Sequence, residues 1–189
     1  SAVMRDSRSV AVVLPAYNEG PVIESVLSRI PSRIDSMPVL IIVVDDGSSD
    51  DTAGIARDCG ARVVRHLTNL GVGAATVTGL CAASDSGVDI IVTMDADGQH
   101  DPAAIESLVQ ELLDGPFDVV IGSRILDPRG MPLSRFAANL LLNALTCVVY
   151  GKIVSDSQSG FKVFSRQALQ KMDLQSAGYE VCSEIIGEI

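Results

Sequence analysis

Two aspartates one residue apart, Asp95 and Asp97, close the apolar run Asp89-Ile-Ile-Val-Thr-Met94. Along an extended chain, side chains two positions apart project to the same side. Two carboxylates held together repel each other unless a cation lies between them. Mg²⁺ or Mn²⁺ suits such a pair, because these hard ions prefer oxygen and keep phosphate oxygens and waters in their shells. Gln99 adds a neutral oxygen, and His100 stands beside it. The metal ligands expected are therefore Asp95, Asp97 and Gln99. The same spacing also occurs in plain turns; its place at the end of a buried strand is what favours a metal.

Four further groups of residues suit a phosphorylated ligand or its acceptor. Asp45-Asp46-Gly-Ser-Ser-Asp50 follows a run of Ile and Val. Asp, Gly and Ser make a turn there, and Ser48 or Ser49 suits a helix cap. Two acids ending an apolar strand also suit hydrogen bonds from a base or ribose. In Pro15-Ala-Tyr17-Asn18-Glu19, Tyr17 is placed to stack on a nucleobase and Glu19 to bond its edge; a loop with a helix-capping acid is the alternative. Arg124 and Arg135 have the forked donors that match phosphate oxygens, or that make surface ion pairs. Asp156, in Asp156-Ser-Gln-Ser-Gly160-Phe161, is a candidate general base or acceptor-orienting group, or else a turn residue.

The elements that must position these groups alternate strand and helix. Short apolar runs predict strands over Val10–Leu14, Val39–Val44, Ala61–Arg65, Asp89–Met94 and Phe117–Ile121. Between them, helices are expected over Pro21–Ile30, Asp51–Cys59, Gly73–Ser84 and Pro102–Leu113. Ser134–Tyr150 reads as an amphipathic helix, either an ordinary surface element or one near an acceptor site or membrane surface. Strands joined by crossover helices imply a mostly parallel sheet in a single α/β domain over residues 1–189. Ligands of such sheets bind at the carboxyl ends of the strands, where Tyr17-Asn-Glu19, Asp45-Asp46, Asp95-Ala-Asp97 and Ser123-Arg124 fall.

Composition narrows the function. With 47% hydrophobic but only 4% aromatic residues, the core is built from Val, Ile, Leu and Ala, as buried parallel strands prefer. A net charge of -10 with only three lysines, Lys152, Lys162 and Lys171, excludes nucleic acid as a partner. Cys59, Cys81, Cys147 and Cys182 form no Cys-x-x-Cys pair, so they read as buried thiols in a reducing compartment rather than a zinc site. No signal peptide opens the chain, and no uncharged apolar run reaches the ~20 residues of a membrane span. A dinucleotide-binding oxidoreductase would need Gly-x-Gly-x-x-Gly after the first strand, where Pro-Ala-Tyr-Asn-Glu stands, and no P-loop motif is present.

Taken in order, Pro15-Ala-Tyr-Asn-Glu19, Asp45-Asp-Gly-Ser-Ser-Asp50, Asp95-Ala-Asp-Gly-Gln-His100, Gly122-Ser-Arg124 and Asp156-Ser-Gln-Ser-Gly-Phe161 resemble the family 2 glycosyltransferases of the GT-A fold. Within them the chain looks most like the dolichol-phosphate mannosyltransferase and polyprenyl-phosphate glycosyltransferase group. The resemblance implies nucleoside contacts from Pro15, Tyr17, Glu19, Val44 and Asp46. It implies that Asp95, Ala96, Asp97 and Gln99 hold the metal and diphosphate, and that Arg124 and Arg135 face phosphates. Catalysis would rest on Asp97, Arg124 and, for a hydroxyl acceptor, Asp156. The reaction implied is metal-dependent transfer with inversion, from a nucleotide-diphospho-sugar to a polyprenyl phosphate at the cytosolic face of a membrane. A sugar or protein hydroxyl is the alternative acceptor, and a non-catalytic nucleotide-sugar binding module is the rival from another class, against which the intact acidic pair argues. Members of the group continue past the position of Ile189, so the resemblance implies a domain truncated at its C-terminus.

Overall fold

The computed structural model describes residues 8–122 and 161–171. Four strands lie parallel: β1 (Val10–Ala16), β3 (Met37–Asp45), β4 (Arg62–Arg65) and β5 (Ile90–Thr93). The sheet also holds β2 (Arg33–Ile34), β6 (Val119–Ile121) and β7 (Lys162–Ser165), in the order β2-β3-β1-β5-β7-β6, with β4 also on β3. From β1 the chain moves outward to β3 and β4, then returns to the other flank of β1 as β5. That reversal opens a crevice at the carboxyl ends of β1 and β5, the usual ligand position in such a sheet.

The strands form because their apolar residues have two layers to fill. Val10, Val12, Leu14 and Ala16 of β1 point to one face, with Val43 of β3 and Ile90 and Val92 of β5. Helices α1 (Gly20–Leu27), α2 (Thr52–Asp58) and α4 (Ala104–Asp114) cover that face through Ile23 and Val26, Ala56, and Ile105 and Val109. Ala11, Val13, Ile42, Val44 and Ile91 point the other way, under Ala75, Leu80 and Ala83 of α3 (Val72–Asp85). Each large aliphatic side chain fully buried in these layers contributes about 1.5–3 kcal/mol. α3 rests directly on β1 because Gly79 leaves room: a Cβ there would lie 2.2 Å from Val13.

The mostly parallel α/β sheet is as the sequence predicts, with two additions. β7 enters antiparallel between β5 and β6, pairing Ile91 with Phe164 and Val120 with Val163. A short hairpin, β2 to β3, turns at Asp35 with φ 49. α2 starts later than expected. Its N-cap is Asp51, and neither Ser48 nor Ser49 caps it, because both are bonded to the loop after β1. The thiols are also less buried than expected, Cys59 being exposed and Cys81 half-buried. Cys147, Cys182 and the helix expected over 134–150 lie outside the described residues.

Candidate active site

The loops after β1 and β3 are stitched into one unit. Asn18 takes a left-handed backbone, φ 56, which Asn tolerates better than most residues. Its N–H donates to Ser48 Oγ at 2.9 Å, and its Oδ1 accepts from Ser49 N–H at 2.9 Å. Glu19 N–H donates to Thr52 Oγ1 at 2.9 Å and Gly20 N–H to Asp50 Oδ2 at 3.0 Å, which satisfies two donors at the start of α1. Hydrogen bonds from Thr52 hold the Asp50 carboxyl below its ordinary range. Tyr17, between these anchors, is 48% exposed at the carboxyl edge of the sheet. Pro15 and Val44 are paired across β1 and β3.

Asp45 and Asp46 leave the end of β3 toward opposite layers, as side chains alternate along a strand. Asp45 is fully buried, accepts from Ser48 N–H at 3.0 Å and has Arg65 Nε 3.0 Å from Oδ2. That second contact is an ion pair without hydrogen-bond geometry. Asp46, 2% exposed, lies on the α3 side. Its Oδ1 is 2.7 Å from His66 Nδ1 and accepts from Leu70 N–H at 2.9 Å; its Oδ2 accepts from Gly71 N–H at 2.8 Å. His66 Nε2 lies 2.9 Å from Thr78 Oγ1 on α3. With the proton on Nδ1, the ring donates to Asp46 and accepts the Thr78 hydroxyl. Asp46 thus folds the segment from His66 to Gly71 against the β3 loop. The approach is close enough that a Cβ on Gly47, φ +71, would meet the Thr68 backbone at 2.5 Å.

An Asp–His–Thr series of this kind resembles a nucleophilic triad in its contacts. His66 and Thr78 are 2% and 5% exposed, however, so the hydroxyl has no access to substrate and the series is structural. Neither residue stands out in the sequence. A histidine ending an apolar run is the only signal that could have pointed to this network.

Across the crevice, Met94 N–H makes the last bond to β1, at Val13 O, and the chain then turns. Ala96 is buried in the core and pins the turn, leaving Asp95 and Asp97 half-buried on either side of it. Asp97 Oδ1 accepts from Gln99 N–H at 2.9 Å, and Asp95 Oδ2 lies 3.2 Å from His100 Nε2. Glu19 faces this loop from the other wall. Burial pushes its carboxyl above the ordinary value, and the charges of Asp97 and then Asp50 push it further. The charge of Asp97, on the loop after β5, therefore acts on Glu19, on the loop after β1, and a cation would relieve that repulsion.

Among the described residues, no three His, Cys, Asp or Glu side chains gather to hold an ion by themselves. Two carboxylates fit an ion that completes its shell with diphosphate oxygens and water, as Mg²⁺ does. Arg124, Arg135 and Asp156 lie outside the described residues.

The chain has relatives of known architecture. The profile of Glycosyl transferase family 2 matches residues 11–173. An uncharacterized protein of Methanocaldococcus jannaschii is 42% identical over 182 residues, which is 94% of this chain and 74% of that one. A UDP-N-acetylglucosamine–dolichyl-phosphate N-acetylglucosaminyltransferase of Methanococcus voltae is 36% identical over 94% of this chain and 78% of its own length. Among solved structures, glucosyl-3-phosphoglycerate synthase of Mycobacterium tuberculosis with Mn²⁺, UDP-glucose and glycerol 3-phosphate superposes with a TM-score of 0.65 at 33% identity. That match covers 85% of this chain, which spans 57% of the synthase.

Proposed function

The chain belongs to Glycosyl transferase family 2 and is a glycosyltransferase, and from that premise we propose that it moves a sugar from a nucleoside diphosphate to a polyprenyl phosphate of the dolichyl type. The observation that carries this reading is the half-buried pair Asp95 and Asp97 at the carboxyl end of β5, whose charge acts on Glu19 after β1, at the same sheet edge as an exposed Tyr17. One wall offers a surface for a base, and the other offers carboxylates that need a cation. The donor substrate supplies both a base and a diphosphate. The Methanococcus relative, named for a dolichyl-phosphate acceptor, supports the choice of acceptor.

In the proposed complex, Tyr17 stacks on the base while Pro15, Glu19, Val44 and Asp46 border the nucleoside. The diphosphate lies against Asp95, Ala96 and Asp97, with a divalent ion, Mg²⁺ or Mn²⁺, on the two carboxylates and Gln99. When bound, the ion offsets charge developing on the departing diphosphate. Arg124 and Arg135 are proposed as further phosphate contacts. An oxygen of the acceptor phosphate attacks the anomeric carbon in one displacement, and the bond to the β-phosphate oxygen breaks. The nucleoside diphosphate leaves with the electron pair, and the configuration inverts. The acceptor is already anionic, so little base catalysis is required.

Among the described residues, no helix is long and apolar enough to cross a membrane. The proposed site of reaction is a membrane surface, because a polyprenyl chain is confined to the bilayer, and the cytosolic face is the one proposed. The synthase match favours a second reading, a small phosphorylated acceptor attacking through a hydroxyl, for which Asp156 is the candidate base.

The test supplies the full-length protein with labelled UDP-N-acetylglucosamine or GDP-mannose, Mg²⁺ or Mn²⁺, and either dolichyl phosphate in detergent or 3-phosphoglycerate. Label entering the lipid phase is expected. Label entering only the soluble acceptor overturns the lipid reading in favour of the second. Release of nucleoside diphosphate in neither case overturns both.

A further inference from the structure

His100 takes no part in the chemistry above, yet the fold buries it to 5% exposure directly behind an acidic side chain of the site. Its Nε2 is 3.2 Å from Asp95 Oδ2. The other side of the ring packs edge-on against Phe161, with centroids 5.2 Å apart and planes at 63°. Phe161 is itself fixed by its place just before β7 and by its carbonyl, which accepts from Gly122 N–H at 2.9 Å. Gly122 follows β6 and leaves room for the phenyl ring, since a Cβ there would lie 3.3 Å from it. β7 runs antiparallel to β5, so its first residues reach the same carboxyl edge as the acidic pair. One line of contacts, Asp95 to His100 to Phe161 to Gly122, therefore ties the loop after β5 to the ends of β6 and β7.

We propose that His100 is a positioning residue for Asp95. With its proton on Nε2, the ring donates to Oδ2 and fixes the rotamer of the carboxylate. Being buried, the ring stands behind the carboxylate rather than in the site. A carboxylate held in this way meets a metal without first losing rotamer entropy, and outer contacts of this kind typically govern about 10–100-fold in metal affinity. The inference rests on the reading of Asp95 as a metal-facing group, and the experiment separates the two.

Mn²⁺ binding to the full-length protein is measured by electron paramagnetic resonance in the presence of UDP, for the parent, His100→Phe and His100→Gln. His100→Phe keeps a ring against Phe161 but removes the donor, and is expected to weaken Mn²⁺ at least about tenfold while its melting temperature stays near the parent's. His100→Gln restores an N–H donor and is expected to recover part of the affinity. If His100→Phe binds Mn²⁺ within twofold of the parent, the positioning role is overturned. If His100→Phe fails to fold, His100→Gln decides alone: Mn²⁺ affinity below that of the parent but still measurable supports the role, and parental affinity overturns it. No Mn²⁺ binding by the parent itself would overturn the metal reading together with this inference.

Discussion

Asp46, after β3, is 2% exposed and shares its oxygens among His66, Leu70 N–H and Gly71 N–H. Asp97, after β5, is half-buried, takes a hydrogen bond from Gln99 N–H and raises the pKa of Glu19 across the crevice. The two aspartates end strands of one sheet edge and are used in opposite ways. The β3 side satisfies its charge internally, and so gains a rigid wall at the cost of little remaining hydrogen-bonding capacity. The β5 side leaves its charge accumulated, which costs stability and creates affinity for a cation. A site for a nucleoside diphosphate needs both: a fixed wall for the base, and a field that only a metal–diphosphate pair relieves.

Removing one charge on the open side is the most damaging change expected for activity. Asp97→Asn keeps shape and loses the anionic ligand, so transfer should fall at least about a hundredfold. Its thermal midpoint should stay within a degree or so of the parent's, since no buried partner is lost. A steady-state assay beside a melting curve checks both. Retained activity would mean that the open side is not where the cation acts.

The closed side should answer in stability first. His66→Phe deprives buried Asp46 and Thr78 of a partner, which costs about 1–3 kcal/mol, or a drop of very roughly 2–4 °C per kcal/mol in a chain of this size. Its effect on turnover should be smaller than that of Asp97→Asn and should act mainly on KM for the donor. If His66→Phe melts with the parent, the network is not what holds the β3 side together.

Glu19 gives the smallest effect and the sharpest one in pH. Its carboxyl is raised above the ordinary 4.5, so the folded chain keeps a proton that the unfolded chain has already released. Stability therefore falls as pH rises from about that value through the folded pKa, and the loss persists at neutral pH. Glu19→Gln should leave the melting temperature unchanged at pH 3 and raise it at pH 7. The gain should stay below about 1 kcal/mol, because the group is only half-buried and solvent screens its charge. The gain should shrink when UDP and Mg²⁺ are added, since the cation then relieves the same repulsion. A gain at pH 3 equal to that at pH 7 would show that charge is not its source.

Much of this was legible in the sequence because the relevant physics is local. Val10–Leu14, Val39–Val44 and Asp89–Met94 declare themselves as buried strands by unbroken apolar runs, and each leads into polar residues that a crevice can use. Asp95 and Asp97 are legible for the same reason: repulsion at that spacing is a property of the segment itself. Less was legible where two distant segments meet. Lys162–Ser165 is too short and mixed to announce a strand, and it becomes one only because β5 and β6 leave unpaired edges on either side of it. Ser48 has the chemistry of a cap and is instead taken by Asn18, 30 residues away.

By itself, then, the sequence determined the layered α/β plan, the edge of the sheet that carries the polar groups, and the acidic pair on it. Hydrophobic period and strand-end chemistry are written within a few residues. The tertiary structure alone decided which of Asp45 and Asp46 faces α1 and α2 and which faces α3, that His66 would satisfy Asp46 from 20 residues away, and that Glu19 and Asp97 would share one field. Those outcomes depend on how the crossover helices set neighbouring strands in register. Electrostatic and hydrogen-bonding energies depend on separations of a few ångströms, which are fixed only when the layers close.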